Sequence, residues 1–195
     1  MLGLARPLLI LVSGGWKIRN NLSTQLSNLG ELRRRALQMP VPKTTYNKGI
    51  VYEDLTIGDE FVSASRTITE SDIWLFACWS GDQNPLHMDE EFGKKSPFGT
   101  RIAHGLLTVC IGTGLANQTL IFEGTSMALL NSSSKYTGVV RAGDTLRVVV
   151  RVTDKKDTKK YQDRGIVTFD WTVYNQRDES VCESQWILMI RRREV

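Results

Sequence analysis

The chain holds two histidines, His87 and His104, and both fall in or beside one stretch punctuated by Gly81, Pro85, Gly93, Pro97 and Gly99. Asp82 stands five residues before His87. On a continuous helix that spacing would set the two side chains about 140° apart, at 3.6 residues per turn, unable to share a ligand. Pro85 removes the option. It disfavours helical geometry at Asn84 and lacks a backbone donor, so the chain must turn there. A turn can bring Asp82 and His87 side by side, and Asn84 suits it because its side chain can bond its own backbone two residues on. A carboxylate and an imidazole that converge can hold a water and move its proton in both directions near neutral pH.

Competing chemistries fit less well. There is no Gly-x-Ser-x-Gly, and no cysteine stands in a setting that argues for an activated nucleophile. Asp82, His87, Asp89 and His104 offer metal-binding atoms, yet neither His-Glu-x-x-His nor another tight ligand spacing is present, so neither a metal nor another cofactor is expected. Cys78, Cys110 and Cys182 are odd in number and flanked by apolar or helix-compatible residues, which fits reduced core thiols in a reducing compartment. Gly112-Thr113-Gly114 begins like a dinucleotide fingerprint but lacks the third glycine and a preceding strand; small residues there let a sheet or an acyl chain approach closely.

The elements that must position these groups follow from periodicity. Ile57-Gly58-Asp59-Glu60 reads as a turn into a strand over Phe61–Ile68, and Thr69 with Asp72 predicts a capping box opening a helix from Glu70 to Trp79, with Ile73, Phe76 and Ala77 on its packed face. Residues 80–100 read as an irregular stretch, of a length that is more often functional than idle. A second helix, Gly105 to Gln118, has apolar or small residues on nearly every face and is expected to be buried. The period then switches to two through Leu146–Val152 and Val167–Val173, with further strands at Met127–Tyr136 and Val181–Ile190. About five antiparallel strands curved around one central helix make an α+β layer.

Gly81-Asp82-Gln83-Asn84-Pro85-Leu86-His87-Met88-Asp89, followed by Arg101-Ile102-Ala103-His104-Gly105-Leu106, resembles the signature of the MaoC-like dehydratases, the (R)-specific enoyl-CoA hydratases of hot-dog fold. The resemblance covers about Tyr52 to Arg192. It implies a central helix starting near Gly105, a sheet wrapped on it and a homodimer. It also implies that Asp82 and His87 bind a catalytic water, and that the Gly105 backbone N–H faces the oxygen of an acyl-CoA or acyl-carrier thioester. Thr113 lies where the family often has a serine near the active site. Asn84, His104 and Thr113 join Gly105 as expected substrate-site residues, with capping or packing as the competing role for His104 and helix packing for Thr113.

Composition narrows the rest. The net charge is +4 over 195 residues, with 41% hydrophobic and 24% charged residues, an ordinary globular balance. Residues 1–39 carry six basic residues against Glu31, so the remainder is close to neutral and lacks a nucleic-acid footprint. Leu8–Val12 falls short of the ~20 residues a membrane helix needs. Residues 1–48 read as an extension and linker: a transit-like segment, a helical arm over Asn21–Leu37, or a start upstream of the true one at Met39, ending at Pro40 and Pro42. Residues 49–195 read as the hot-dog domain. The expected compartment is the cytoplasm, or the mitochondrial matrix if residues 1–39 are a transit peptide. Lys155, Lys156, Lys159 and Lys160 suggest a solvated hairpin tip, or a contact to a coenzyme A phosphate. The expected reaction is reversible hydration of a 2-enoyl thioester; a hot-dog thioesterase and a non-catalytic acyl-thioester binding module are the rivals.

Overall fold

Two-residue alternation builds the sheet and a 3.6-residue period the helix on it. The computed structural model describes residues 10–12, 15–17 and 49–193. The chain divides into two compact units, Met1–Thr44 and Thr45–Val195. In the first, β1 (Ile10–Val12) pairs antiparallel with β2 (Gly15–Lys17). The helical arm expected over Asn21–Leu37 and the linker at Pro40 and Pro42 lie outside the described residues.

The second unit carries β3 (Glu60–Val62), β4 (Arg66–Thr67), β5 (Ser126–Tyr136), β6 (Thr145–Asp157), β7 (Arg164–Tyr174) and β8 (Ser180–Arg191). They form one antiparallel six-stranded sheet in the order β3-β6-β7-β8-β5, with β4 also on β6. One strand was expected over Phe61–Ile68, and the chain makes two. The N–H of Val148 donates to the Ser63 hydroxyl rather than to a main-chain carbonyl, and this side-chain competition interrupts the ladder.

Helix α1 (Glu70–Ser80) opens with the expected capping box: Thr69 Oγ1 accepts from the Asp72 N–H, and the Asp72 carboxylate accepts from the Thr69 N–H. It closes on Gly81, whose φ of 78° is the left-handed value that favours glycine. The stretch expected to be irregular holds two short helices, α2 (Pro85–Met88) and α3 (Glu90–Lys95). Both are too short for periodicity to reveal, and local caps hold them. Asn84 Oδ1 accepts from the Leu86 N–H, and Asp89 Oδ1 accepts from Glu91 and Phe92.

Helix α4 (Gly105–Gln118) has the expected bounds. Leu107, Ile111 and Leu115 bury against Val148, Val150, Trp171 and neighbouring inward residues of the sheet. Gly112 is required by closeness, since a Cβ there would lie 2.5 Å from Trp171 Cζ3. This is the hot-dog arrangement, helix against curved sheet. The helix is not buried all round, however. Leu106, Cys110 and Gly114 form an exposed stripe, because one sheet covers one side of a helix. The thiols divide likewise: all three cysteines are free, but only Cys182 lies in the core, while Cys78 and Cys110 sit on outward faces of α1 and α4. Strand β5 is exposed along nearly its whole length.

At the β6–β7 hairpin the lysines are partly engaged. Lys155 folds over the Tyr52 ring and donates to the Leu55 carbonyl, and Lys156 pairs with Asp154 at 2.9 Å. Among the described residues no helix is long and apolar enough to cross a membrane.

Candidate active site

Asp82 lies on the bend between Gly81 and Asn84, and His87 on the single turn of α2. The turn forced by Pro85 brings them together: one ligand atom each from Asp82, His87 and His104 lie within 4.8 Å of one another. Asp82 is exposed, His87 half-buried and His104 buried, at 2% exposure. The chain therefore sets a carboxylate at the solvent side of two imidazoles.

What fixes the rings decides their chemistry. A carbonyl can only accept, so a ring nitrogen bonded to one must carry the proton. His87 Nδ1–H donates to the Ile102 carbonyl at 2.8 Å, and His104 Nε2–H donates to the Asp82 carbonyl at 2.9 Å. Neutral His87 therefore keeps its lone pair on Nε2, and neutral His104 keeps its own on Nδ1. Burial holds the His104 imidazole below its usual pKa, and His87 acts in the same direction, against the opposing pull of the bond to the Asp82 carbonyl and of the Asp82 charge. His104 Nδ1 is buried without a partner.

Among the described residues, Asp82, His87 and His104 form a group that could hold a metal. The two imidazole rings lie with centroids 3.8 Å apart and planes tilted 31° from each other. Asp89 stands apart from this group as the cap of α3.

The second part of the site is the start of α4. His104 occupies the N-cap position, but its side chain makes no capping bond, having turned to Asp82. The first helical bond is Thr108 N–H to the His104 carbonyl, so the N–H groups of Gly105, Leu106 and Leu107 have no partner within the helix. They can receive an oxygen that gains negative charge. Beside them is a cavity of about 340 Å³ walled by Phe98, Ile102, Gly105, Thr108, Tyr136 and Val140. The Tyr136 ring lies so close that a Cβ on Gly105 would sit 2.9 Å from its Cε1. A shallow recess of about 400 Å³ over Ser133, Asp170, Glu183 and Gln185 involves none of these groups.

Residues 54–173 match the family described as MaoC like domain. The chain belongs to that family. A curated relative, the (R)-specific enoyl-CoA hydratase of Rhodospirillum rubrum, is 38% identical over 110 residues, covering 56% of this chain and 74% of that protein. The crystal structure of a MaoC-like dehydratase from the same organism is 32% identical, covers 75% of this chain and 100% of its own, and superposes with a TM-score of 0.70. A Mycobacterium tuberculosis protein with a double hot-dog fold superposes at 0.66 over 76% of this chain and 46% of its own; at 17% identity it speaks to the fold alone.

Within this MaoC-like domain the expected site residues divide. Asp82, His87 and His104 converge, and Gly105 begins α4. Asn84 uses its side-chain oxygen as the cap of α2. Thr113 lies about 12 Å along the helix axis from Gly105, at 1.5 Å per residue, and its carbonyl accepts from Asn117. Sequence reasoning passed over Tyr136 and Arg101. Arg101 ties the second motif to the first turns of α1 and α3, pairing with Glu70 and Glu90 at 3.1 Å each, and the Thr100 hydroxyl with Arg101 holds Glu90 below the usual carboxylate range. Its place at the head of the second motif was the available signal; Tyr136 gave none, being 31 residues from Gly105.

Proposed function

We propose that the chain is a hydro-lyase that adds water reversibly across the double bond of a 2-enoyl thioester to give the (R)-3-hydroxyacyl thioester. The carrying observation is the bond from His87 Nδ1–H to the Ile102 carbonyl, which leaves the Nε2 lone pair free on a ring that has a ligand atom within 4.8 Å of one from Asp82. A water can donate one hydrogen to each. The name of the Rhodospirillum rubrum relative supports the same reaction.

In the proposed reaction the thioester oxygen meets the N–H groups at the start of α4, which makes Cβ electrophilic. The water oxygen bonds to Cβ as Asp82 takes its proton, and the π electrons move through Cα to leave an enolate on the thioester oxygen. His87 orients the water and helps the proton taken by Asp82 reach Cα, so that both hydrogens of the water end in the product and Asp82 returns to its carboxylate. Metal and cofactor have no step here, and the acyl group arrives on coenzyme A or on an acyl carrier.

A second copy completes the reading. Among the described residues strand β5 has one unpaired edge and exposes Met127, Leu129 and Leu130, and the α4 stripe exposes Leu106. Long exposed edges and apolar patches are liabilities that pairing with a second copy removes. The three free thiols fit the cytoplasm or another reducing compartment, such as the mitochondrial matrix.

The test is a panel of enoyl and 3-hydroxyacyl thioesters followed by absorbance. Hydration without thiol release supports the reading, free thiol turns it into a thioesterase, and binding without turnover into a binding module.

A further inference from the structure

The two groups assigned to the water are held from one short segment. His87 is fixed by the carbonyl of Ile102, and the backbone of Asp82 by the ring of His104, two residues further on. The first motif lends a histidine to the second motif's backbone, and the second returns one to the first. The rings stack at 3.8 Å between these two bonds.

Asp82 needs such an anchor. It is exposed, outside any helix, and its other bonds are local: its N–H donates to Ser80 Oγ at 3.2 Å, and its Oδ1 accepts from the Asn84 N–H at 3.3 Å. The bond from His104 alone ties it to a residue 22 positions away. Capping does not explain His104, because its side chain makes no bond to its own helix. Packing alone does not explain it either. An imidazole here leaves Nδ1 buried and unpartnered, a cost that a phenylalanine against Phe76 and His87 would avoid.

We propose that His104 is a positioning residue: its Nε2–H fixes the Asp82 carbonyl and its ring sets the plane of His87, so that carboxylate and Nε2 lone pair face one water. This role rests on the hydratase reading for its kinetic consequence, but not for its geometry.

The test uses the full chain and two variants. His104→Phe keeps an aromatic ring on His87 and loses the donor, whereas His104→Gln keeps a donor near the position of Nε2. His104→Phe lowers kcat about 10- to 10²-fold, the scale of a misplaced reacting group, with KM within about threefold, and His104→Gln recovers most of the loss. Unchanged kcat in His104→Phe, or no recovery in His104→Gln, overturns the proposal. With only two histidines in the chain, nitrogen NMR of the wild type reads the geometry whether or not the variants fold or a substrate turns over. The expected spectrum at pH 7.5 shows one ring protonated at Nδ1 and one at Nε2; two rings of the same tautomer overturn it. Absence of turnover in the wild type with the mixed tautomer pattern intact refutes the hydratase reading and leaves the clasp standing.

Discussion

His87 and His104 pack ring against ring, 3.8 Å between centroids with their planes tilted 31°, and each spends one nitrogen on a carbonyl from the other's motif. The pair thereby fixes two opposite tautomers without any charged partner on either bonded nitrogen. The free nitrogens differ in exposure as well: His104 is buried and His87 half-buried, so His87 is the ring that can meet a substrate.

Burial of His104 makes stability depend on pH. Its folded pKa lies below the unfolded value of about 6.5, so between the two the unfolded chain binds more protons. The contribution is fully present above pH ~6.5 and is lost as pH falls through the folded pKa. Chemical denaturation from pH 7.5 down to 5 therefore shows falling stability, and His104→Gln flattens the slope. Asp82 and His87 face the same ring and remain in both proteins, so the difference between the curves reports His104 together with its coupling to these two groups.

A side chain on Gly105 requires the Tyr136 ring to give way. Alanine there drives its Cβ toward the Tyr136 ring, and overpacking of this kind costs about 1–3 kcal/mol. Gly105→Ala lowers both the denaturation midpoint and kcat/KM, and adding Tyr136→Ala restores the midpoint. Unchanged stability in the single variant would show that the ring moves freely.

Light scattering at micromolar concentration gives at least twice the 22.0 kDa of one chain. The proposed pairing through the exposed β5 and α4 stripe predicts it, and Leu129→Asp shifts the mass toward that of one chain. A wild-type monomer contradicts the proposed pairing.

Residues 1–38 are dispensable for turnover. The motif residues all belong to the unit Thr45–Val195, and chain termini are where removal is best tolerated. A chain beginning at Met39 unfolds cooperatively and keeps wild-type kcat; loss of the cooperative transition would place the segment in the core.

Much of the second unit was legible in the sequence because strong signals act locally. Alternation in β6 and β7, the Thr69–Asp72 box and the small-residue run of α4 each determine structure within a few residues. Pro85 likewise foretold the turn that joins Asp82 to His87. Short helices α2 and α3 escaped, since one turn has no period and only its caps announce it. The exposed stripe of α4 escaped for another reason: apolar composition reports that a face is covered, not whether the same chain covers it. The bonds from His87 and His104 to backbone carbonyls escaped because a carbonyl leaves no mark on residue type.

The central claim is one water shared by Asp82 and His87. It is tested by kcat on a responsive enoyl thioester for wild type, Asp82→Asn, His87→Ala and the double variant. Each single change lowers kcat roughly 10²- to 10⁴-fold, and the double change costs little more than the worse single one, as for groups acting as a unit. Strictly additive losses, or wild-type turnover in Asp82→Asn, contradict it.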